Sequence, residues 1–195
     1  MSDRRLSALL REIRACRVCA AHLPLGPRPV LRARSSARLL IIGQAPGTKV
    51  HESGIPWNDR SGDRLRDWLQ LDREAFYDET RIAIVPMGFC YPGVDAHGGD
   101  RPPRKECAPL WQARVLAHLP RVELTLLVGG YAQVYYLRGE SPGSMTDTVR
   151  AWRDHASRFI PLPHPSWRNT AWLRRNPWFE TELLPDLRGR VRKLL

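Results

Sequence analysis

Four short apolar runs, at residues 38–43, 81–87, 123–129 and 158–162, each stop at a loop rich in Gly or Pro, with stretches of helical period between them. A run that is apolar at every position is buried on both faces, as strands of parallel sheets are, and parallel strands must be joined by long crossovers, usually helices. The alternation predicts an α/β fold of three layers, α/β/α, with a central four-stranded parallel sheet. Residues 1–195 are of a length to form a single domain with its own core. Ligands of such sheets bind beyond the carboxyl ends of the strands, so the loops after Gly43, Cys90, Gly129 and Leu162 are where a site is expected.

Between the runs, residues 3–15 put Leu6, Leu9, Leu10 and Ile13 on one helical face, and residues 61–71 do the same with Leu65, Trp68 and Leu69. Helices are also predicted over 107–118, 131–137 and 144–154. A last one is capped by Asn176, with Pro177 at its first position and Leu183, Leu184, Leu187, Val191 and Leu194 along its face. Residues 22–34 read as a surface linker, and 91–105 as a long loop. A structureless loop of that length inside a domain is usually functional or disordered.

Four cysteines carry the next signal. Cys16 and Cys19 form C-x-x-C, while Cys90 and Cys107 stand 17 positions apart on either side of the 91–106 loop. Two pairs of soft ligands can close a tetrahedral zinc site or hold an iron-sulfur cluster, and either would tie the N-terminal helix to that loop. The spacing does not choose between them.

Gly43-Gln44-Ala45-Pro46-Gly47, after the first run, lets backbone come close to a ligand because so little side chain stands in the way. Ten residues on, Gly54-Ile55-Pro56-Trp57-Asn58-Asp59 sets an aromatic face beside an amide and a carboxylate, a combination that can stack a nucleobase and read its edge, although Trp is also commonly buried for packing alone. After the fourth run, Pro163 and Pro165 flank His164 and hold it at the strand end, followed by Ser166, Trp167, Arg168 and Asn169, an aromatic and basic tip suited to a DNA groove or an opened base step. The other histidines, at 22, 51, 97, 118 and 155, are expected to be satisfied surface residues.

The net charge of +11, with 28 arginines among the 31 basic residues, favours an anionic partner, since the guanidinium fork grips phosphate in two places. No apolar stretch approaches the roughly 20 residues that span a bilayer. The expectation is a soluble, cytoplasmic, nucleoid-associated monomer that binds DNA, double- or single-stranded, and no membrane.

Taken in order, these motifs resemble the uracil-DNA glycosylase superfamily, and its iron-sulfur branch in particular: C-x-x-C near the start, Gly-Gln-Ala-Pro-Gly, Gly-x-Pro-aromatic, the wide cysteine pair, Gly-x-Tyr-Ala at 129–132 and His-Pro-Ser at 164–166. The resemblance implies a [4Fe-4S] cluster on Cys16, Cys19, Cys90 and Cys107, with zinc as the alternative, and a base-excision repair enzyme that flips out uracil or a related deaminated base and hydrolyses its bond to the sugar. It implies that Gly43, Gln44 and Ala45 line the base pocket, that Trp57 stacks on the base, and that His164 hydrogen-bonds a base carbonyl and stabilises the leaving anion. Ser166 to Asn169 would wedge into the vacated stack.

Two positions depart from the family pattern. Members with the strongest water-activating carboxylate carry Asp where this chain has Ala45, which leaves Asp59 as the expected carboxylate, with Glu52 behind it. The iron-sulfur branch reads uracil with an Asn where this chain has Pro86, so Asn58 is the expected reader, or the base is not uracil. These departures keep open a protein of the same fold that binds nucleic acid without excision, or in response to the cluster's redox state. Arg60, Arg101, Arg104, Arg168, Arg174 and Arg175 are expected to gather near His164.

Overall fold

A computed structural model describes residues 2–96, 98–137 and 143–195. Four strands, β1 (Leu39–Ile42), β2 (Ile82–Ile84), β3 (Leu124–Val128) and β4 (Phe159–Leu162), form one sheet in the order β2-β1-β3-β4, with every neighbouring pair parallel. The chain moves from β1 to one side and then returns to the other, so the order reverses beside β1. That reversal point, at the carboxyl ends, is where a crevice opens in such sheets.

Strand pleating sorts the apolar runs into two cores. Leu39, Ile41, Ile82, Ile84, Leu126 and Val128 face one layer, while Leu40, Ile42, Ala83, Val85 and Leu127 face the other. The first layer holds α3 (Arg60–Leu69), α4 (Arg73–Tyr77), α7 (Met145–Arg150), α8 (Trp152–His155) and the C-terminal α10 (Leu184–Leu194); the second holds α1 (Ser2–Arg14), α5 (Cys107–Leu116) and α6 (Gly130–Tyr136). The three-layer α/β/α prediction therefore holds. Each fully buried Leu or Ile contributes about 1.5–3 kcal/mol.

Several local expectations change. The second apolar run ends as a strand at Ile84, because Pro86 has no amide to donate to a ladder, although Val85 and Met87 still donate to the carbonyls of Ile41 and Gly43. Residues 22–34 are not a mere surface linker: Val30, Leu31 and Ala33 are buried, and Arg32 bridges antiparallel to Ile84, covering the exposed edge of β2. The opposite edge, β4, carries Pro161, which blunts it. Helix 144–154 is two helices broken at Ala151. Asn176 does not cap the last helix with its side chain: it donates to the Trp172 carbonyl and accepts from the Trp178 indole, and a π-helical turn (Phe179–Leu183) precedes α10. Three short helices, α2 (Thr48–Ser53), α4 and α9 (Thr170–Arg175), carry too few periodic positions to be read in advance. His51 and His155 are buried and not on the surface, and His97 lies outside the described residues.

Candidate active site

The loop after β1 is fixed by its carbonyls. Gly43 accepts from the Met87 amide at 2.9 Å and Gln44 from the Gly88 amide at 2.8 Å, so residues 43–47 are stretched across the ends of β1 and β2. This loop floors a cleft of about 560 Å³ whose walls include Pro56, Trp57, Asp59, Ser61, Pro86, Asp95, Asp100, His164 and Ser166 to Asn169. That is a volume suited to a small organic group.

Trp57 enters the cleft through an uncommon backbone. Its φ of +57° lies in the left-handed region, a genuine outlier for a bulky side chain. Two glycines permit it. A Cβ on Gly43 would lie 2.7 Å from the indole, and a Cβ on Gly62 would lie 1.7 Å from the Trp57 carbonyl oxygen. Arg66, buried, donates to that same carbonyl at 3.3 Å. The ring is half-buried against the core, yet its outer part faces the cleft, so both sequence readings of Trp57 hold together.

His164 meets this ring from the loop that follows β4. The two ring centroids are 5.6 Å apart and tilted by 35°. Gly129, with φ of +89°, backs the imidazole, for a Cβ there would lie 3.5 Å from the His164 Cβ. The Asn169 amide donates to the His164 carbonyl at 2.7 Å, which fixes the loop from below. Burial pushes the His164 pKa below the ordinary histidine value, opposed by the charge of Asp59. The ring is therefore neutral near pH 7, a hydrogen-bond donor with no charge of its own.

The remaining predicted residues divide. Gly43, Gln44, Ala45, Trp57, Asp59, Ser166, Trp167, Arg168 and Asn169 all line the cleft. Asp59 also caps α3, accepting from the Gly62 amide at 2.8 Å. Asn58 is not among the residues that line the cleft, and its side-chain Oδ1 accepts from Arg73 at 2.8 Å. Glu52 is exposed and likewise absent from the lining. Pro86 presents only its ring, its carbonyl being taken by the buried Gln112 amide at 2.7 Å.

At the mouth, Trp167 is 72% exposed and so belongs to no core. Arg168 lies over its ring at 5.5 Å and donates to the Gly98 carbonyl at 3.1 Å, bridging to the loop after Cys90. That loop is not structureless. Val94 bridges antiparallel to Asp100, Asp95 donates to Gly99 at 2.7 Å, and Arg101 donates to Gly93 at 2.9 Å, forming a small hairpin. Its contribution to the cleft, Asp95 and Asp100, escaped sequence reading, where loop length was the one available signal. Of the six arginines expected near His164, Arg168 lines the cleft and the other five do not; Arg101 and Arg104 border a separate depression with His22 and Lys105.

The four cysteines converge elsewhere. None is in a disulfide, and all four line one small cavity of about 30 Å³ together with Leu23, Phe89 and Trp111. The Phe89 amide donates to the Cys107 sulfur at 3.4 Å. Burial pushes the Cys90 thiol up to about 11 and the Cys107 thiol up to about 12. Among the described residues, no group of three or more His, Cys, Asp or Glu side chains is placed to hold a metal ion. Among them too, no helix is long and apolar enough to cross a membrane.

Compared with known protein families, residues 32–188 match the model of the uracil DNA glycosylase superfamily. Cys90, Cys107 and every cleft residue but Val30 fall within the match; Cys16 and Cys19 precede it.

Proposed function

The chain belongs to the uracil DNA glycosylase superfamily, and from that premise we propose that it is a DNA glycosylase that turns uracil or a related deaminated base out of DNA and hydrolyses its bond to the sugar. One observation carries this reading. A tilted Trp57–His164 pair, 5.6 Å apart, stands in a cleft at the strand ends, with an exposed aromatic and basic tip at its mouth.

Rupture of the glycosidic bond leaves negative charge on the base and positive charge on the sugar. The indole of Trp57 offers the base a stacking face, and the backbone of Gly43 and Gln44 approaches its edge. The neutral imidazole of His164 donates to a base carbonyl as charge collects there, and a donor preorganised for that charge is worth about 2.7–4 kcal/mol. Asp59, which lines the same cleft and whose charge already acts on His164, would favour the positive charge that builds on the sugar. Trp167 and Arg168 fill the gap left by the flipped base and contact phosphate. Pro86 has no amide to offer and Asn58 lies outside the lining; of the two carboxamides on the wall, Asn169 donates to the His164 carbonyl, which leaves Gln44 to read a base and favours a tolerance for several deaminated bases over strict uracil selection.

The test is a panel of single-stranded, paired and mismatched oligonucleotides carrying uracil or hypoxanthine, heated in alkali after incubation. Breakage at the lesion is the expected result. Uniformly intact strands overturn excision, and salt-sensitive binding without breakage, a fall in log K of about 0.9 per phosphate contacted, would instead identify the non-catalytic binder that Ala45 and Pro86 bring to mind.

The same reading includes a [4Fe-4S] cluster on Cys16, Cys19, Cys90 and Cys107. Its support is the single apolar cavity that all four thiols share and the Phe89 amide aimed at Cys107, since such amide-to-sulfur bonds tune clusters. A bound cluster would cross-link the N-terminal helix to the loop after Cys90, at a cavity whose lining is separate from that of the cleft. Protein purified without oxygen is expected to be brown and to contain iron and sulfide; colourless protein with one zinc per chain would exclude it.

A further inference from the structure

Hydrolysis needs a group that aims the attacking water and takes its proton. Ala45, at the centre of the cleft floor, has no such group. The cleft contains three carboxylates, Asp59, Asp95 and Asp100, and two of them are engaged in local structure. Asp59 accepts from the Gly62 amide at 2.8 Å as the cap of α3, and Asp95 accepts from the Gly99 amide at 2.9 Å as the clasp of the hairpin turn.

We propose that Asp100 is the catalytic residue that positions and deprotonates the water, a role that rests on reading the cleft as that of a glycosylase. Its Oδ2 lies 3.9 Å from where a Cβ on Gly47 would stand, which puts the carboxylate over the end of the same loop that carries Ala45. Among the described residues no hydrogen bond to this carboxylate is found, so both oxygens are open to a water. The hairpin that carries it is held on two sides, by the Val94–Asp100 bridge and by Arg168, which donates to Gly98 from the loop that follows His164. The groups that act on base and water therefore sit on two loops clamped together.

Electrostatics agree with the geometry. Asp100 is exposed at the rim of the cleft, yet partial desolvation first, then the charge of Asp59 and, more weakly, that of Asp95, push its carboxyl above the ordinary aspartate value, with Arg168 opposing them. A carboxylate with a raised pKa takes a proton more readily. In the step, the C1′–N bond breaks with its electron pair leaving on the base, where His164 donates a hydrogen bond. A water oxygen forms the new bond to C1′, its proton passes to Asp100 and then to solvent, and the base anion is protonated from solvent. The products are free base and an abasic sugar.

The experiment is single-turnover excision by wild type, Asp100→Asn, Asp100→Glu and Asp59→Asn, on whichever lesion in the panel the wild type cleaves. Asn at position 59 keeps the cap, because its side-chain oxygen also accepts the amide of Gly62. Expected for Asp100→Asn is a fall in rate of about 10²–10⁴-fold with affinity for an abasic-site oligonucleotide and the thermal midpoint unchanged, partial recovery in Asp100→Glu, and a smaller loss in Asp59→Asn. An active wild type matched by Asp100→Asn overturns the role of Asp100 alone. So does a loss in Asp100→Asn that is mirrored in affinity or stability, or one exceeded by Asp59→Asn. A wild type inactive on every lesion overturns the glycosylase reading and Asp100 with it.

Discussion

Replacing His164 by Ala is expected to slow base excision by about 10²–10³-fold at neutral pH, the cost of removing one preorganised donor from a developing anion. The fold should survive. His164 stands in a loop beyond β4 whose path is held by Pro163, Pro165 and the Asn169-to-carbonyl bond at 2.7 Å, none of which needs the imidazole. Binding to an abasic-site oligonucleotide should hardly change, because the proposed DNA contact is assigned to Trp167 and Arg168. A variant that excises at the wild-type rate would remove His164 from the chemistry. The pH profile supplies a separate check with a definite sign. Burial depresses the His164 pKa, so the neutral donor persists below the ordinary value of roughly 6.5. Loss of activity through His164 should begin only as pH falls beneath that value. The same depression means the folded state binds fewer protons than the unfolded one. Its contribution to stability is complete above about pH 6.5 and is lost as pH falls through the folded value. An acid limb assigned to His164 at or above the ordinary value would contradict the neutral imidazole.

Gly62→Ala is expected to be the most disruptive single methyl group beside the cleft, behind Trp57. Its Cβ would stand 1.7 Å from the Trp57 carbonyl oxygen, and the contact is with backbone, which cannot rotate away as a long side chain can. Trp57 already holds φ of +57°, and Arg66 holds the same carbonyl, so the strain has no cheap outlet. Overpacking of this kind costs about 3 kcal/mol or more, which for a chain of this size lowers the melting midpoint by about 6–12 °C. Trp57 must shift, and excision should fall with it even below the melting transition. Gly189→Ala, on α10 with open space around its Cβ, is the matched control and should leave excision unchanged and hold or slightly raise the midpoint, since Ala favours a helix interior over Gly. Equal midpoints for the Gly62 and Gly189 variants would show that the Trp57 backbone is free to relax.

Much of the candidate site could be read from local sequence because local constraint made it. His164 between two prolines after an apolar run has few places to be except the end of a strand, and Trp57 follows a Gly-x-Pro turn that the chain cannot continue as helix. Asn58 shows the limit. Next to Trp57 in sequence it is an obvious reader of a base, but the side chain of Arg73, on the first turn of a five-residue helix with no legible period, takes its carbonyl. Arg101 and Arg104 failed for a related reason, since the hairpin folds Asp100 toward the cleft while the residues after it run back to the cysteines.

What the sequence determined by itself is the sheet and the address of the site. Continuous apolar runs cannot be hidden except between two layers, and burial depends on the character of each residue more than on its particular neighbours. The tertiary structure alone decided which polar groups act together. A carboxylate's role is set by what lies within a few ångströms of it, and in this chain Asp59 and Asp95 each accept from a nearby amide while Asp100 was carried to the Gly47 end of the cleft, where no hydrogen bond to it is found among the described residues. Electrostatic and hydrogen-bond energies fall off steeply over such distances, so no spacing along the chain could have distinguished the three.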